Sequence, residues 1–166
     1  TAPRDYPKFS PEKEFKVELY FLTREGEGNY FYQKNQLSTP TAQSKAYDLT
    51  TSDDLSLLAK LVAEKSPSLQ GNVNRVTDRL AQTNFQVITL STLREMMKTF
   101  ASSEALEGSE LEGMANIAAS FYDMLVAVRP ELGLMTVQER RVVRDSLVVD
   151  SAVMMHGYAA LMKDFN

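Results

Sequence analysis

The chain has 166 residues, 43% of them hydrophobic and 24% charged, and this composition is typical of a single globular domain. The absence of cysteine excludes disulfides, thiolate metal sites and a cysteine nucleophile, and the single histidine argues against a multi-histidine metal centre or a catalytic triad. The net charge of -4 argues against a broad surface for nucleic acid but leaves room for a small basic patch.

No signal peptide or membrane span is predicted. The first ten residues, "TAPRDYPKFS", lack an apolar core, and Asp150 and His156 interrupt the longest apolar stretch. We therefore expect a cytoplasmic protein without a membrane partner. Because the chain begins with Thr1 and not with methionine, we also expect it to be a piece of a longer protein.

The N-terminal part predicts one strand followed by a long polar connection. Residues 15–23, "FKVELYFLT", alternate partly and are rich in β-branched and aromatic side chains, which indicates a strand. The next residues, "REGEG" (24–28), predict a turn. Residues 33–54 are mostly polar, and long connections of this kind are often functional. A lone strand cannot satisfy its own edges, so we expect the rest of its sheet to lie upstream.

The remainder predicts four main helices. A hydroxyl followed three residues later by an acid marks a helix N-terminus. Four such pairs occur: Thr51 with Asp54, Thr92 with Glu95, Ser109 with Glu112, and Thr136 with Glu139. Pro130 is expected to end the third helix. The fourth, over about 137–162, becomes apolar nearly all round and is expected to be central and buried. Between the first two helices we expect a short helix near 73–81 and an extended "FQVIT" (85–89).

These elements predict a mainly α fold with a small α+β part at its N-terminal end. A helical bundle would pack on one or a few strands. We place the boundary between the α/β part with its polar loop, 1–50, and the helical domain, 51–166.

Four segments, in this order, resemble the C-terminal part of a known family. They are "FKVELYFLTREGEGNYFYQKNQ", "STPTAQSKAYDLTTSDDLSLLAKLVAE", "LAQTNFQVITLSTLREMM" and "RRVVRDSLVVDSAVMMHGYAAL". The family is that of the DGQHR-domain proteins, which includes the DndB regulators of DNA sulfur modification. The Asp-Gly-Gln-His-Arg motif itself is absent, so the resemblance implies that Thr1 lies downstream of it.

The resemblance implies a ParB-like domain upstream and a helical C-terminal portion here. It further implies a regulatory, DNA-associated protein of a bacterial DNA-modification system of the phosphorothioation type. DNA would be bound through the intact protein, and a homo-oligomer is compatible with this role. Two alternatives stay open: a nucleotide-hydrolysing member of the same family, and a helical protein-interaction module that does not bind DNA. The chain itself offers no self-sufficient catalytic constellation, no metal site and no indication of a cofactor.

The polar run contains the first set of candidate site residues. Its cations and amides suit contacts to phosphate or another ligand, and the candidates are Lys34, Asn35, Gln36 and Lys45. Asn35 is the strongest of them because the family places an asparagine there. The alternative for all four is a solvated loop in which the amides stabilise turns.

Six arginines form the second set, as candidates for basic patches. They are Arg75, Arg79, Arg94, Arg140, Arg141 and Arg144. The alternative is solvated helix faces with intramolecular pairs to neighbouring acids. We expect His156 to be a hydrogen-bonded core histidine, Asp150 to face a basic side chain of another helix, and the methionines to pack in the core.

Overall fold

The computed structural model describes residues 19–30, 42–102, 106, 108–148 and 150–164. These residues form seven α-helices, one 3-10 helix and two short strands. In chain order they are α1 (24–30), α2 (Gln43–Leu49), α3 (Asp54–Lys65), β1 (Val73–Asn74), β2 (Ile88–Thr89), α4 (Leu90–Ala101), α5 (Gly108–Val128), the 3-10 helix Pro130–Leu132, α6 (Val137–Ser146) and α7 (Ala152–Asp164). The expectation of a mainly α fold with a small strand component is confirmed.

The core lies between the long helices. α4 packs against α7 and against α3, and α3 packs in turn against α5. Leu58 of α3, Leu93 of α4 and Met155 of α7 are completely buried. Apolar residues three and four apart share one face of a helix, so each helix turns a continuous apolar stripe inward. The core methionines fit the predicted packing role, but Met124 of α5 is 59% exposed.

The two strands pair in parallel, and β2 leads directly into α4. Val73 lies opposite Ile88, and Asn74 lies opposite Thr89. The buried Asn72 fixes this crossing, because its Oδ1 accepts the Val87 N–H at 3.1 Å and its Nδ2 donates to the Gly133 carbonyl at 3.1 Å. The predicted extension of "FQVIT" is thus confirmed at Ile88–Thr89.

The predicted helix near 73–81 is wrong. Val73 and Asn74 form β1, and residues 75–81 contain no regular element. The Asn74 Oδ1 accepts the N–H groups of Val76 and Thr77, each at 2.9 Å. Asparagine side chains that bond to the backbone in this way favour turns over helix, which explains the error.

The capping chemistry is correct in kind, but three of the four predicted cap residues are not the caps in the structure. α6 has the complete predicted capping box between Thr136 and Glu139. α3 is capped by Asp53 and not by Thr51, and α4 is capped by Thr89, whose hydroxyl accepts the Thr92 N–H. α5 begins at Gly108, so Ser109 lies inside the helix. Its end at Val128, just before Pro130, agrees with the prediction.

The N-terminal prediction requires correction. Residues 15–18 of the predicted strand lie outside the described part, and residues 19–23 carry no strand. The predicted turn at 24–28 is helical instead, since α1 covers 24–30. Thr23 explains this start, because its carbonyl accepts the Glu27 N–H at 2.8 Å and its hydroxyl accepts the Gly26 N–H at 3.2 Å.

The predicted polar connection also contains regular structure. Its last part holds α2, which buries Ser44 and Ala46. Lys34, Asn35 and Gln36 lie outside the described residues.

The single helix predicted over 137–162 is two helices. α6 ends at Ser146, Leu147 is extended, and α7 begins at Ala152. The Ser151 hydroxyl accepts the Met154 N–H at 3.4 Å, so it acts as a new cap. α7 is also not buried all round. It buries Met155, Tyr158, Ala159 and Met162 on one face, while Val153 on the other face is 80% exposed.

Among the described residues, none of the helices combines the length and the apolar character that crossing a bilayer requires.

Candidate functional site

A cleft of about 550 Å³ lies between α1 and α2. Its volume is in the range typical of small-ligand sites. The lining residues are Arg24, Glu27, Gly28, Lys45, Asp48, Leu49 and Thr51. Lys45, one of the predicted phosphate contacts, therefore lies at a concave surface together with a second cation.

The two helices meet at Gly28. A Cβ atom built on Gly28 would lie 2.7 Å from the Leu49 carbonyl oxygen, so only glycine allows this approach. Glycine thus sets how closely α1 approaches the C-terminal end of α2, and this approach shapes the floor of the cleft.

α2 is held at both ends by other parts of the chain. At its N-terminus the Asp78 carboxylate accepts the N–H groups of Gln43 and Ser44, each at 2.7 Å. At its C-terminus the Lys60 Nζ donates to the carbonyls of Thr50 at 2.6 Å and Asp48 at 3.3 Å. Such contacts replace the hydrogen bonds that helix ends lack. The backbone of Lys45 is therefore fixed relative to the helical core.

The charges that anchor α2 have altered pKa values. Desolvation raises the pKa of Asp78, but hydrogen bonds from the backbone of Ser44 and Gln43 outweigh it and hold this pKa below its ordinary value. Desolvation lowers the pKa of the half-buried Lys60, against the attraction of Asp48.

The cleft carries more uncompensated positive than negative charge. Asp48 is neutralised by Arg75, whose Nη1 lies 3.1 Å from the Asp48 Oδ1. Within the described part of the chain, Arg24 and Lys45 form no ion pair and Glu27 faces no cation within salt-bridge distance. Two cations without ion-pair partners among the described residues, beside one such carboxylate, suit an anionic ligand, and phosphate is a group that both arginine and lysine bind.

Arg75, Arg79 and Arg94 do not form one patch. Arg75 pairs with Asp48 and, at 3.7 Å, with Glu64. Arg79 is exposed. Arg94 is largely buried, donates from Nε to Asp53 at 2.7 Å, and stacks on the Tyr47 ring with 4.6 Å between Cζ and the ring centroid.

The Arg94 contacts join α2, α3 and α4. The hydrogen bond with Asp53 raises the pKa of Arg94, and desolvation opposes that rise. Desolvation raises the pKa of Asp53, but hydrogen bonds from Arg94 and Ser56 outweigh it and hold the value low. This cation is therefore committed to holding the fold together.

Two of the three arginines in "QERRVVR" point inward, which corrects the predicted surface patch. Arg140 is completely buried and donates to the carbonyls of Phe85, Glu131 and Gly133. Arg141 is exposed, and its Nε lies 3.9 Å from the Asp145 Oδ2.

Arg144 is the second inward arginine. It donates to the carbonyls of Ala81, Asn84 and Gln86 at 2.6–2.8 Å. Its Nε lies 3.2 Å from the Asp150 Oδ2, so Asp150 does pair with a basic side chain, but this side chain comes from the same predicted helix, 137–162, and not from another one. Arg140 and Arg144 together secure the connection between β1 and β2.

His156 lies on the exposed face of α7, so the predicted core histidine is wrong. The described residues also hold no group of three or more histidine, aspartate or glutamate side chains placed to bind a metal ion.

Arg24 and Glu27 were missed as site residues because the glycines at 26 and 28 predicted a turn. Thr23, an N-cap residue directly before two charged residues, was the signal that could have revealed α1.

Comparison with known proteins identifies the family. The family model for DndB, described as DNA-sulfur modification-associated, matches residues 23–166. No curated protein and no solved structure matched the chain. The matched range includes α1, α2, the cleft between them and all later helices. The chain therefore belongs to the DndB family of proteins associated with DNA sulfur modification.

Proposed function

We propose that this chain is the helical C-terminal portion of a regulatory, DNA-associated protein of a bacterial DNA sulfur-modification system. The observation that carries the proposal is the family match over residues 23–166. The proposal also includes a ParB-like domain upstream of this chain, as the resemblance to the DGQHR-domain proteins implies. The regulated target would be promoter DNA of the modification genes.

In this role the cleft between α1 and α2 contacts the DNA backbone. Arg24 and Lys45 supply the positive charge, and both lack ion-pair partners among the described residues. The chain as a whole is acidic, with a net charge of -4, so it would repel DNA elsewhere. A small cleft with two cations positions one or two phosphates but does not read bases, so sequence specificity would come from other contacts.

The experiment measures binding of the full-length protein to duplex DNA from the promoter of the modification genes and to a scrambled duplex of equal length. We expect tighter binding to the promoter duplex. The double variant Arg24→Ala/Lys45→Ala should bind both duplexes more weakly. The logarithm of the binding constant falls linearly with the logarithm of the salt concentration, and each phosphate contact contributes about 0.9 to the steepness of this line. The line for the double variant should therefore be less steep by up to about 2.

The matched control is Lys163→Ala, which removes an exposed cation at the far end of α7. It should leave affinity and slope unchanged. Equal affinity of the unaltered protein for both duplexes would contradict the regulatory role. Promoter-specific binding that the double variant retains in full would contradict only the role of the cleft.

A further inference from the structure

The outer face of α5 has a seven-residue pattern that the core does not use. Small residues recur at every seventh position, at Gly113, Ser120 and Ala127, and all three are exposed. The large apolar residues Ile117 and Met124 lie between them and are 40% and 59% exposed. A seven-residue repeat of this kind is the signature of a helix that packs lengthwise against another helix.

This face is concave as well as apolar. A groove of about 340 Å³ is lined by Asn116, Ile117, Ser120, Phe121 and Met124. A Cβ atom built on Gly113 would meet no heavy atom within 4 Å, so the surface of α5 is also open at Gly113. Ile117 and Met124 project beside the hollow at Ser120, so one surface carries both protrusions and a recess that could receive them.

The pattern is symmetric about Ser120. Gly113 and Ala127 lie seven residues on either side of it, and Ile117 and Met124 lie three and four residues on either side. An antiparallel copy of the same helix, related by a two-fold axis near Ser120, places Ile117 against the partner's Met124. It also places Gly113 near the partner's Ala127, where small side chains let the two backbones approach closely. Isologous interfaces require this kind of self-complementarity.

The charges favour the antiparallel arrangement. No charged side chain lies on this face between 113 and 128, because Asp123 points to the other flank and accepts a hydrogen bond from the Ser66 hydroxyl at 2.6 Å. Glu110 and Glu112 lie near the N-terminal end of α5, where Glu112 pairs with Lys65 at 2.7 Å. Arg129 follows the C-terminal end and pairs with Glu131 at 2.8 Å. Parallel pairing would bring the N-terminal glutamates of two acidic chains together, and antiparallel pairing avoids this repulsion.

We propose that the protein forms a two-fold dimer through antiparallel pairing of α5 with α5 of a second copy of this chain. Residues 113–128 span roughly 24 Å of helix. One helix pair of this length buries less than the roughly 800 Å² per partner of a stable complex. The dimer should therefore be reversible and depend on protein concentration.

The first test uses charge at the two-fold axis. Ser120→Glu and Ser120→Lys each place two like charges face to face, so each variant alone should dimerise at least about tenfold more weakly than the unaltered chain. An equimolar mixture should regain dimer, because glutamate then faces lysine. Sedimentation analysis over a range of concentrations measures all four samples. Circular dichroism verifies the fold, which should survive because Ser120 is exposed.

The second test uses the absence of cysteine in this chain. Ser120→Cys should form an intermolecular disulfide under mild oxidation, because a residue on the axis lies within the roughly 7 Å Cα separation that a disulfide requires. The control, Val153→Cys on the exposed face of α7, should stay unlinked. Three outcomes would overturn the proposal. The unaltered chain could be monomeric at every concentration, the mixture of the two charged variants could fail to dimerise, or Val153→Cys could form the disulfide while Ser120→Cys does not. None of these outcomes depends on DNA binding.

Discussion

At the scale of single residues, three arginines of one short segment have three different surroundings. Arg140 is completely buried, the Arg144 side chain is 10% exposed and the Arg141 side chain is 62% exposed. Arg140 and Arg144 are four residues apart and so share one face of α6, while Arg141 lies one residue beyond that face. Arginine is suited to the buried positions because its planar group donates up to five hydrogen bonds in fixed directions.

Arg140→Met should strongly destabilise the fold. The substitution keeps most of the buried volume but leaves the carbonyls of Phe85 and Glu131 without the guanidinium donor. The Gly133 carbonyl loses one of its two donors and keeps the Asn72 side chain. Each unsatisfied carbonyl costs about 1 kcal/mol or more, so we expect a loss of about 2 kcal/mol in the free energy of unfolding. Urea titration followed by circular dichroism measures it.

The matched variant is Arg141→Met, which changes an exposed neighbour and should alter the free energy of unfolding by less than about 0.5 kcal/mol. Similar losses for the two variants would show that the carbonyl contacts of Arg140 do not stabilise the fold.

At the scale of elements, α1 and α2 are short helices that depend on tertiary contacts. Helices of fewer than about twelve residues are marginal in isolation. α2 is anchored by Asp78 and Lys60, and α1 rests on it through Gly28. The cleft therefore exists only while both anchors and this close approach are intact.

Gly28→Ala should loosen α1. The added methyl group would lie 2.7 Å from the Leu49 carbonyl oxygen, so α1 must shift away. We expect a cost of about 1–3 kcal/mol in local stability, as for other overpacked contacts. Hydrogen exchange of the Glu27 amide, which bonds to the Thr23 carbonyl, should become faster.

Gly157→Ala is the control for helix propensity, because nothing lies within 4 Å of the added Cβ in α7. It should stabilise the protein by roughly 0.5–1 kcal/mol. Unchanged exchange at Glu27 in the Gly28→Ala variant would mean that α1 does not depend on this close contact.

At the scale of the whole molecule, the segments before and after the strands are joined by polar contacts. Asp78 lies between β1 and β2 and caps α2, and the Ser44 hydroxyl of α2 donates to the Ser91 hydroxyl of α4 at 3.0 Å. These contacts attach the cleft to the helical body. The stability of that attachment should depend on pH, because one member is a carboxylate with a lowered pKa.

Asp78→Asn should reduce stability at neutral pH but not in acid. A lowered folded-state pKa means that the carboxylate stabilises the fold above its ordinary pKa, and that this stabilisation is lost as the pH falls through the folded-state value. Because Asp78 is exposed, we expect a loss of at most about 1 kcal/mol at pH 7. Urea unfolding at pH values from neutral to acidic measures the free energy of unfolding of the Asp78→Asn variant and of the unaltered protein. The two values should become equal in acid.

Asp164→Asn, at the end of α7, is the control and should cause no loss of stability at neutral pH, because a negative charge does not stabilise the C-terminal end of a helix. A difference between the Asp78→Asn variant and the unaltered protein that persists unchanged into strong acid would rule out the carboxylate as its source.

Comparison of prediction and structure shows which signals were reliable. Thr136 and Glu139 predicted the start of α6 because a capping box involves only adjacent residues. The apolar stripe of α5 and the end of this helix before Pro130 were also predicted correctly, because both signals come from residues close together in the sequence. The break between α6 and α7 was missed because the apolar character of the sequence continues across it, while Ser151 starts a new helix there. The strand at 15–23 was predicted from β-branched and aromatic content, and at 19–23 that preference did not decide the structure.

The sequence by itself determined the helical class, most helix positions and the resemblance to the DndB family. All of these depend on local periodicity, local capping and the order of motifs. Only the tertiary structure decided that Arg140 is interior, that Arg24 and Lys45 share a cleft, and that the α5 face is uncovered. The reason is that burial and the pairing of charges depend on which distant segments meet, and one-dimensional spacing does not contain that information.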